Sequence, residues 1–385
     1  MTAGANPIRQ FVLKMHSRCN LACDYCYVYE MADQSWRQQP LTMNREVLEC
    51  AAGRIAEHAH THQLPAVNVV FHGGEPLLAG ADALATATDL LRNRLGNGTD
   101  LIATVQTNGI LLTDRVLAAL ARAQISVAVS LDGTAEAHNR HRKFASGTGS
   151  YAAVARGLDL LGSDAYRHLF SGLLCKVDLA QDPVGCYESL LQFKPPRMDF
   201  LLPLGNWTSR PPGRPTDSTK TPYADWLGAV FDRWYNAPRQ ETELRLFREI
   251  MHLLLGGVTH FEGLGAAVPT VAVIESDGSL EQVDALKSAF PGATSTGLHV
   301  MRDSVDDLLD HPAFAARRRG IASLADECKA CLVRDVCGGG FYPHRYRSGA
   351  GFDNPSVYCP DLFATIQRIR ARLVADIGRL GTAVN

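Results

Sequence analysis

Three cysteines, Cys19, Cys23 and Cys26, fall within eight residues at C-x3-C-x2-C spacing. They are too close together, and too odd in number, to close on one another as disulfides. Soft thiolates suit a metal, and three of them suit an iron–sulfur cluster with one iron left open to an outside ligand. A structural zinc site takes four ligands, and no histidine follows at zinc-finger spacing. Three packed core cysteines are the alternative, since free cysteine is often buried. Further along, Cys328, Cys331, Cys337 and Cys359 offer four thiolates, which suit a closed cluster or a four-cysteine zinc site. Cys50, Cys175 and Cys186 stand alone in apolar stretches and read as core.

The elements that position the first group are legible from periodicity. The short apolar run Phe11-Val12-Leu13-Lys14 reads as a strand leading into the cysteine loop. Further strands are predicted over 67–72, 101–106, 126–131, 172–177 and 198–203. Helices are predicted over 44–62, 81–95, 113–123, 151–161 and 184–193. Strands alternating with helices at this pitch give a parallel sheet, and about six βα units make an open, partial (β/α)6 TIM-type barrel. In that architecture the loops after the strands share one face. Cys19 to Cys26, Gly73-Gly74-Glu75-Pro76, Thr107-Asn108-Gly109 and Asp132-Gly133 all fall on such loops.

Residues 205–222 shift to Pro, Gly, Ser and Thr, around Arg210-Pro211-Pro212-Gly213-Arg214-Pro215, and read as a linker or mobile loop. Two helices follow, near 223–236 and 242–255. A hairpin over 270–274 and 280–283 and a long amphipathic helix over 360–380 complete the chain. The expected division is 1–205 for the barrel, 206–255 for linker and bridging helices, and 256–385 for a C-terminal cysteine domain and helix. His58 and His62 share a helix face, but no carboxylate or thiol joins them in sequence and they read as solvated. Arg317-Arg318-Arg319 likewise reads as a solvated helix face, with an acidic leader peptide as its other possible partner.

The chain has 385 residues, 46% hydrophobic and 20% charged, enough to bury a large core. A formal charge of -2 gives no electrostatic argument for a nucleic-acid or anionic-membrane partner. The first residues lack a signal-peptide pattern, and no run of about eighteen apolar residues occurs. The expectation is a cytoplasmic protein whose ten cysteines are metal ligands or core residues rather than a disulfide framework.

A strand, then C-x3-C-x2-C, then Gly-Gly-Glu-Pro after the next strand resembles the radical S-adenosylmethionine (SAM) superfamily. The resemblance implies a [4Fe-4S] cluster on Cys19, Cys23 and Cys26 whose open iron binds the amino and carboxylate groups of S-adenosyl-L-methionine, giving a 5′-deoxyadenosyl radical on reduction. It also implies an external electron donor of the flavodoxin or ferredoxin type. On this resemblance Gly73 and Gly74 let the backbone approach the methionyl amine, and Glu75 accepts a hydrogen bond from it. Tyr25 lies near the adenine, Gln106, Asn108 and Ser130 contact the ribose or carboxylate, and Arg142 binds the carboxylate. For Gln106, Asn108 and Ser130, plain turn and cap roles are the alternative.

Cys328-x2-Cys331-x5-Cys337, then Cys359, resembles the SPASM extension of radical enzymes that modify peptides and proteins. That family's full pattern also carries cysteines where this chain has Val283, after Gly278, and Phe341. The four present match one complete set, so a single auxiliary [4Fe-4S] cluster is expected, two clusters in all. Residues Cys337 to Tyr346 and Gly351 to Cys359, with His16-Ser17-Arg18 and Asp33-Gln34-Ser35-Trp36, resemble the Fxs-type cyclophane-forming radical SAM/SPASM peptide maturases. What that implies is a ribosomally made precursor peptide in which an aromatic ring carbon is joined to the Cβ of a residue two positions on. The bond removes one hydrogen to the deoxyadenosyl radical and one as a proton and an electron, so it needs a base and an acceptor. The auxiliary cluster is the candidate acceptor, or else a scaffold. Asp284, Glu275, His344 and Asp24 are the candidate bases. The expectation is that no winged-helix leader-binding domain stands in front of the barrel. Leader recognition then falls to the barrel, the proline-rich segment or a separate protein. Other modification chemistry, such as sulfatase formylglycine maturation or thioether formation, is the alternative reading, as is a non-catalytic zinc or iron–sulfur protein.

Overall fold

The computed structural model describes residues 6–214, 219–265 and 267–383. Ten strands form one sheet: β1 Gln10–His16, β2 Ala66–Gly73, β3 Asp100–Thr107, β4 Ile125–Ser130, β5 Phe170–Lys176, β6 Arg197–Leu201, β7 Glu243–Leu244, β8 Val271–Ile274, β9 Ser279–Glu281 and β10 Ser295–His299. Their order is β10-β9-β8-β1-β2-β3-β4-β5-β6-β7, with β1 to β7 parallel and in sequence. The fold is mixed α/β, built on the expected parallel sheet, with a C-terminal cysteine-bearing region.

β2 alternates half-buried and buried residues along its whole length, and Val67, Val69 and Phe71 are fully buried. Truncating one such ring, Phe71→Ala, costs about 3–5 kcal/mol. Among the described residues, thirteen α-helices follow in chain order. The first six are α1 Arg45–Thr61, α2 Ala81–Leu95, α3 Asp114–Arg122, α4 Ala135–His141, α5 Tyr151–Leu161 and α6 Pro183–Leu191. Next come α7 Pro222–Tyr235, α8 Arg245–Leu254, α9 Val305–Asp310, α10 Pro312–Arg317, α11 Asp326–Lys329, α12 Arg334–Cys337 and α13 Cys359–Ala383. Short polar caps fix where the barrel helices begin. Asn44 accepts from Val47 N at 2.8 Å and Asp182 from Gly185 N at 2.5 Å, each satisfying an orphan donor of the first turn. No described helix is long and apolar enough to cross a membrane.

The predicted hairpin forms, but it does not stand apart. β8 pairs in parallel with β1, so the sheet continues from the barrel into the C-terminal region, and β1 is flanked on both sides. This brings the ends of β1 and β8 to the same edge of the molecule. The proline-rich segment is not a free linker over its described part. Asn206 is fully buried and donates to Ser288 O at 2.9 Å, and Trp207 Nε1 donates to Pro355 O at 2.7 Å. Arg214 pairs with Asp361 at 3.2 Å. Pro215 lies outside the described residues. Two surface assignments also change. Arg317 is 5% exposed and paired with Glu262, because α10 turns that side chain inward, and His58 is 1% exposed beneath α9.

Candidate active site

The cysteine loop follows β1 and is held from three sides. Ala22 N donates to Lys143 O at 2.7 Å, while Gly74 N and Glu75 N donate to His16 O and Arg18 O at 2.8 and 3.0 Å. Gly73 and Gly74 are required by that approach. A Cβ on Gly73, whose φ is +152°, would lie 2.1 Å from His16 O, and one on Gly74 would lie 2.5 Å from Arg18 O. The glycines therefore admit the cysteine loop's own backbone. Glu75 braces the same region. It is fully buried, and its carboxylate accepts from Leu77 N at 3.0 Å, Thr107 Oγ1 at 2.7 Å and Asn108 N at 2.8 Å. It ties the loops after β2 and β3 together.

All three cysteines are partly exposed and free. Burial pushes the Cys19 and Cys23 thiols up to about 11 and about 12, and Cys26 upward as well. Donors are already aimed at the sulfurs. Leu21 N donates to Cys19 Sγ at 3.4 Å, Asn108 Nδ2 lies 3.7 Å from it, and Val28 and Tyr29 backbone N–H groups serve Cys26. Soft sulfurs that feel one another's charge and are supplied with N–H donors fit an iron–sulfur group, whose positive irons would offset the cost of burying thiolates. Asn108 faces the cysteine loop, also bonding Asn20 Oδ1 at 2.7 Å. Gln106 and Ser130, on neighbouring strands, bond to each other at 3.1 Å.

Next to the loop, the ends of β4 and β5 carry a group that the sequence only half disclosed. Asp132, 4% exposed, accepts from the Tyr25 hydroxyl, from Arg142 Nε at 2.9 Å and from Lys176 N at 3.1 Å. Lys176 Nζ stands 3.5 Å from the Tyr25 ring centroid, where burial pushes its ammonium down to about 8. Within the protein, the carboxylate beside Arg142 is Asp132. Lys176 was not singled out from the sequence. Its signal was its place at the C-terminal end of a predicted strand.

The candidate bases separate. Asp284 and Glu275 come together in a buried charge cluster near Tyr27, the residue after Cys26. Lys14 pairs with Asp284 and lies 3.4 Å from His72 Nδ1, and Lys287 pairs with Glu275 at 2.7 Å and Glu281 at 3.6 Å. Burial pushes the Asp284 carboxyl up, but Lys14 and Lys287 outweigh it and hold it below the usual range. Asp284 Oδ1 has no hydrogen-bond partner. Burial, against the pull of Lys287, raises Glu281 to about 7. Lys14, Glu281 and Lys287 were not anticipated, since Lys14 sits in an apolar run and the other two in a hairpin region read only for its turn. His344 is elsewhere, packed against Phe341 and Tyr358, and burial pushes its imidazole down to about 3. Asp24 is exposed and pairs with His141 at 3.0 Å.

Cys328, Cys331, Cys337 and Cys359 share one pocket of field. Besides burial, Cys359 and Cys328 push the Cys337 thiol up, to about 12, and Cys328 and Cys331 push Cys359 up, to about 11. Arg345 lies beside Cys328 and Cys337 and donates to the carbonyls of Gly338, Gly339 and Gly340. Val283 and Phe341 carry no thiol. Val283 packs instead into an apolar cluster with Leu286, Ala289, Ala293, Tyr342, Tyr346 and Phe352.

Residues 13–172 match the family model of the radical SAM superfamily, so this stretch of the chain is a radical SAM domain. More particularly, the chain is similar to the cysteine-type anaerobic sulfatase-maturating enzyme of Clostridium perfringens. They are 26% identical over 347 residues, covering 87% of this chain and 88% of that one. The fold superposes on a solved structure of native anSMEcpe with bound AdoMet, with a TM-score of 0.82 at 23% identity over 95% of this chain and 98% of that one. Streptococcus suis SuiB bound to precursor peptide SuiA gives a TM-score of 0.60 at 15% identity, over 92% and 76%.

Proposed function

We propose that this chain is a radical enzyme that crosslinks a ribosomally made precursor peptide, joining an aromatic ring carbon to the Cβ of a residue two positions on. Cys19, Cys23 and Cys26 would hold a [4Fe-4S] cluster that, with S-adenosylmethionine and an external flavodoxin- or ferredoxin-type donor, supplies a 5′-deoxyadenosyl radical. The similarity to a maturase that modifies a sulfatase supports a protein or peptide substrate. Arg142, Asp132, Tyr25 and Lys176 line the barrel mouth beside that loop and shape it. Cys328, Cys331, Cys337 and Cys359 would hold a second cluster with no iron left open.

Asp284 is the residue we assign to the proton lost from the ring. Its Oδ2 is held by Lys14, while Oδ1 is buried beside the cysteine loop with no partner. A ring regaining aromaticity releases its proton readily, so a carboxylate held below its usual range suffices. Glu275 is engaged by Lys287, and His344 lies away from the loop.

The observation that carries crosslinking over formylglycine formation is the apolar cluster around Val283, which stands where the sulfatase-type pattern has further cysteines. Formylglycine maturation is the second reading, favoured by the sulfatase-maturating relative. Coexpression with the product of a neighbouring small open reading frame, followed by tandem mass spectrometry and hydrazide trapping, separates them. Crosslinking predicts loss of two hydrogens, no backbone fragments within one aromatic-containing tripeptide and no hydrazide adduct. A hydrazide-reactive aldehyde at a Cys or Ser overturns it.

A further inference from the structure

His58, in the last turn of α1, lies one turn before His62, the residue that caps the helix, and the first turn of α9 brings Asp306 to them. His58 Nδ1 is 2.6 Å and His62 Nε2 2.8 Å from the same oxygen, Asp306 Oδ1. The other nitrogen of His58, Nε2, faces the carbonyl of Ile8 at 3.1 Å. This imidazole, 1% exposed, therefore has an acceptor at both nitrogens. A neutral imidazole carries one N–H, so whichever nitrogen bears it, the other turns a lone pair toward an oxygen. The arrangement lacks one positive centre between His58 and Asp306. A ring N–H given to a backbone carbonyl is also how metal-bound histidines fix the tautomer that frees the other nitrogen for the ion.

We propose that His58 Nδ1, His62 Nε2 and an Asp306 carboxylate oxygen bind a divalent cation of the zinc class, with water as the fourth ligand, clipping α1 to α9. The three ligand atoms lie within 4.8 Å of one another. Bonds of about 2.0–2.1 Å put tetrahedral ligand atoms about 3.3 Å apart, so a small opening of the present separations seats the ion. Entry is open, since the His62 and Asp306 side chains are 24% and 40% exposed. Ile8 precedes β1 whereas the cysteine loop follows it, so the site is at the far end of that strand and independent of the proposed radical chemistry.

The test uses the full chain with its iron–sulfur content reconstituted. Zn²⁺ alone is added, excess is removed, and zinc and iron per chain are measured for wild type, His62→Gln and Asp306→Asn, with Tm recorded before and after zinc. The proposal expects one more zinc per chain in wild type than in either variant, unchanged iron, and a zinc-dependent rise in Tm confined to wild type. Should Asp306→Asn fail to fold, His62→Gln, altered at a partly exposed ring, carries the comparison. Equal zinc in wild type and variant, with Tm unmoved, overturns the proposal and leaves the trio as a histidine–carboxylate ion pair.

Discussion

Replacing Asp284 by Asn removes one carboxylate from a cluster in which Asp284, Glu275 and Glu281 face Lys14 and Lys287. Lys14 is 2% and Asp284 7% exposed, so the pair is deep enough for the buried-pair cost to apply. Breaking such a pair costs about 3–5 kcal/mol when a charge is left alone. Here two carboxylates still face two ammonium groups, which puts Asp284→Asn toward about 3 kcal/mol or below. If the carboxylate only balances Lys14, the double variant Lys14→Met/Asp284→Asn regains both stability and product, since replacing both members of a buried pair is often neutral. If Asp284 takes the ring proton, stability returns in the double variant while crosslinked peptide stays down roughly 10²- to 10⁴-fold, the usual worth of a positioned base. Deoxyadenosine release should persist in both. The assay is single-turnover quantification of deoxyadenosine and crosslinked peptide beside denaturant unfolding. Crosslinking by Asp284→Asn within about tenfold of wild type would refute the assignment.

Cys359→Ala should lower iron by about one cluster, measured by metal analysis after anaerobic reconstitution; an unchanged count removes the C-terminal cluster from the account. Gly73→Ala drives a Cβ into His16 O and should cost about 1–3 kcal/mol, with loss of iron from the first cysteine loop seen in the same analysis. His138 is fully buried, accepts from Asp132 N and is pushed by burial down to about 4, below its ordinary 6.5. A depressed imidazole binds fewer protons folded than unfolded, so its contribution is complete above 6.5 and is lost as pH falls toward 4, by up to about 3 kcal/mol. His138→Asn should flatten the acid side of the stability profile, and an unaltered slope between pH 6.5 and 4 would count against this origin of acid sensitivity.

The barrel was legible because its strands and helices keep their own periods. Val67 to His72 and Asn44 to His62 declare their faces without any knowledge of neighbours, and cysteine spacing is a local signal too. What stayed hidden depends on distant residues meeting. Nothing near Glu75 in sequence tells that Thr107 and Asn108 will bond its carboxylate and make it a strut between loops. Lys14 sits 270 positions before Asp284 in the chain and reads as one polar residue in an apolar strand. Asp306 reaches His58 only because α9 packs on α1, which no window around the histidines reveals.

The most direct test of the central claim follows one atom. A precursor peptide deuterated at the Cβ two positions after its aromatic residue, incubated with reconstituted enzyme, S-adenosylmethionine and reductant, should yield deuterated 5′-deoxyadenosine in step with a crosslinked product lacking that deuterium. Undeuterated deoxyadenosine alongside a crosslinked peptide, or deuterium transfer only from a Cys or Ser that becomes an aldehyde, would contradict it.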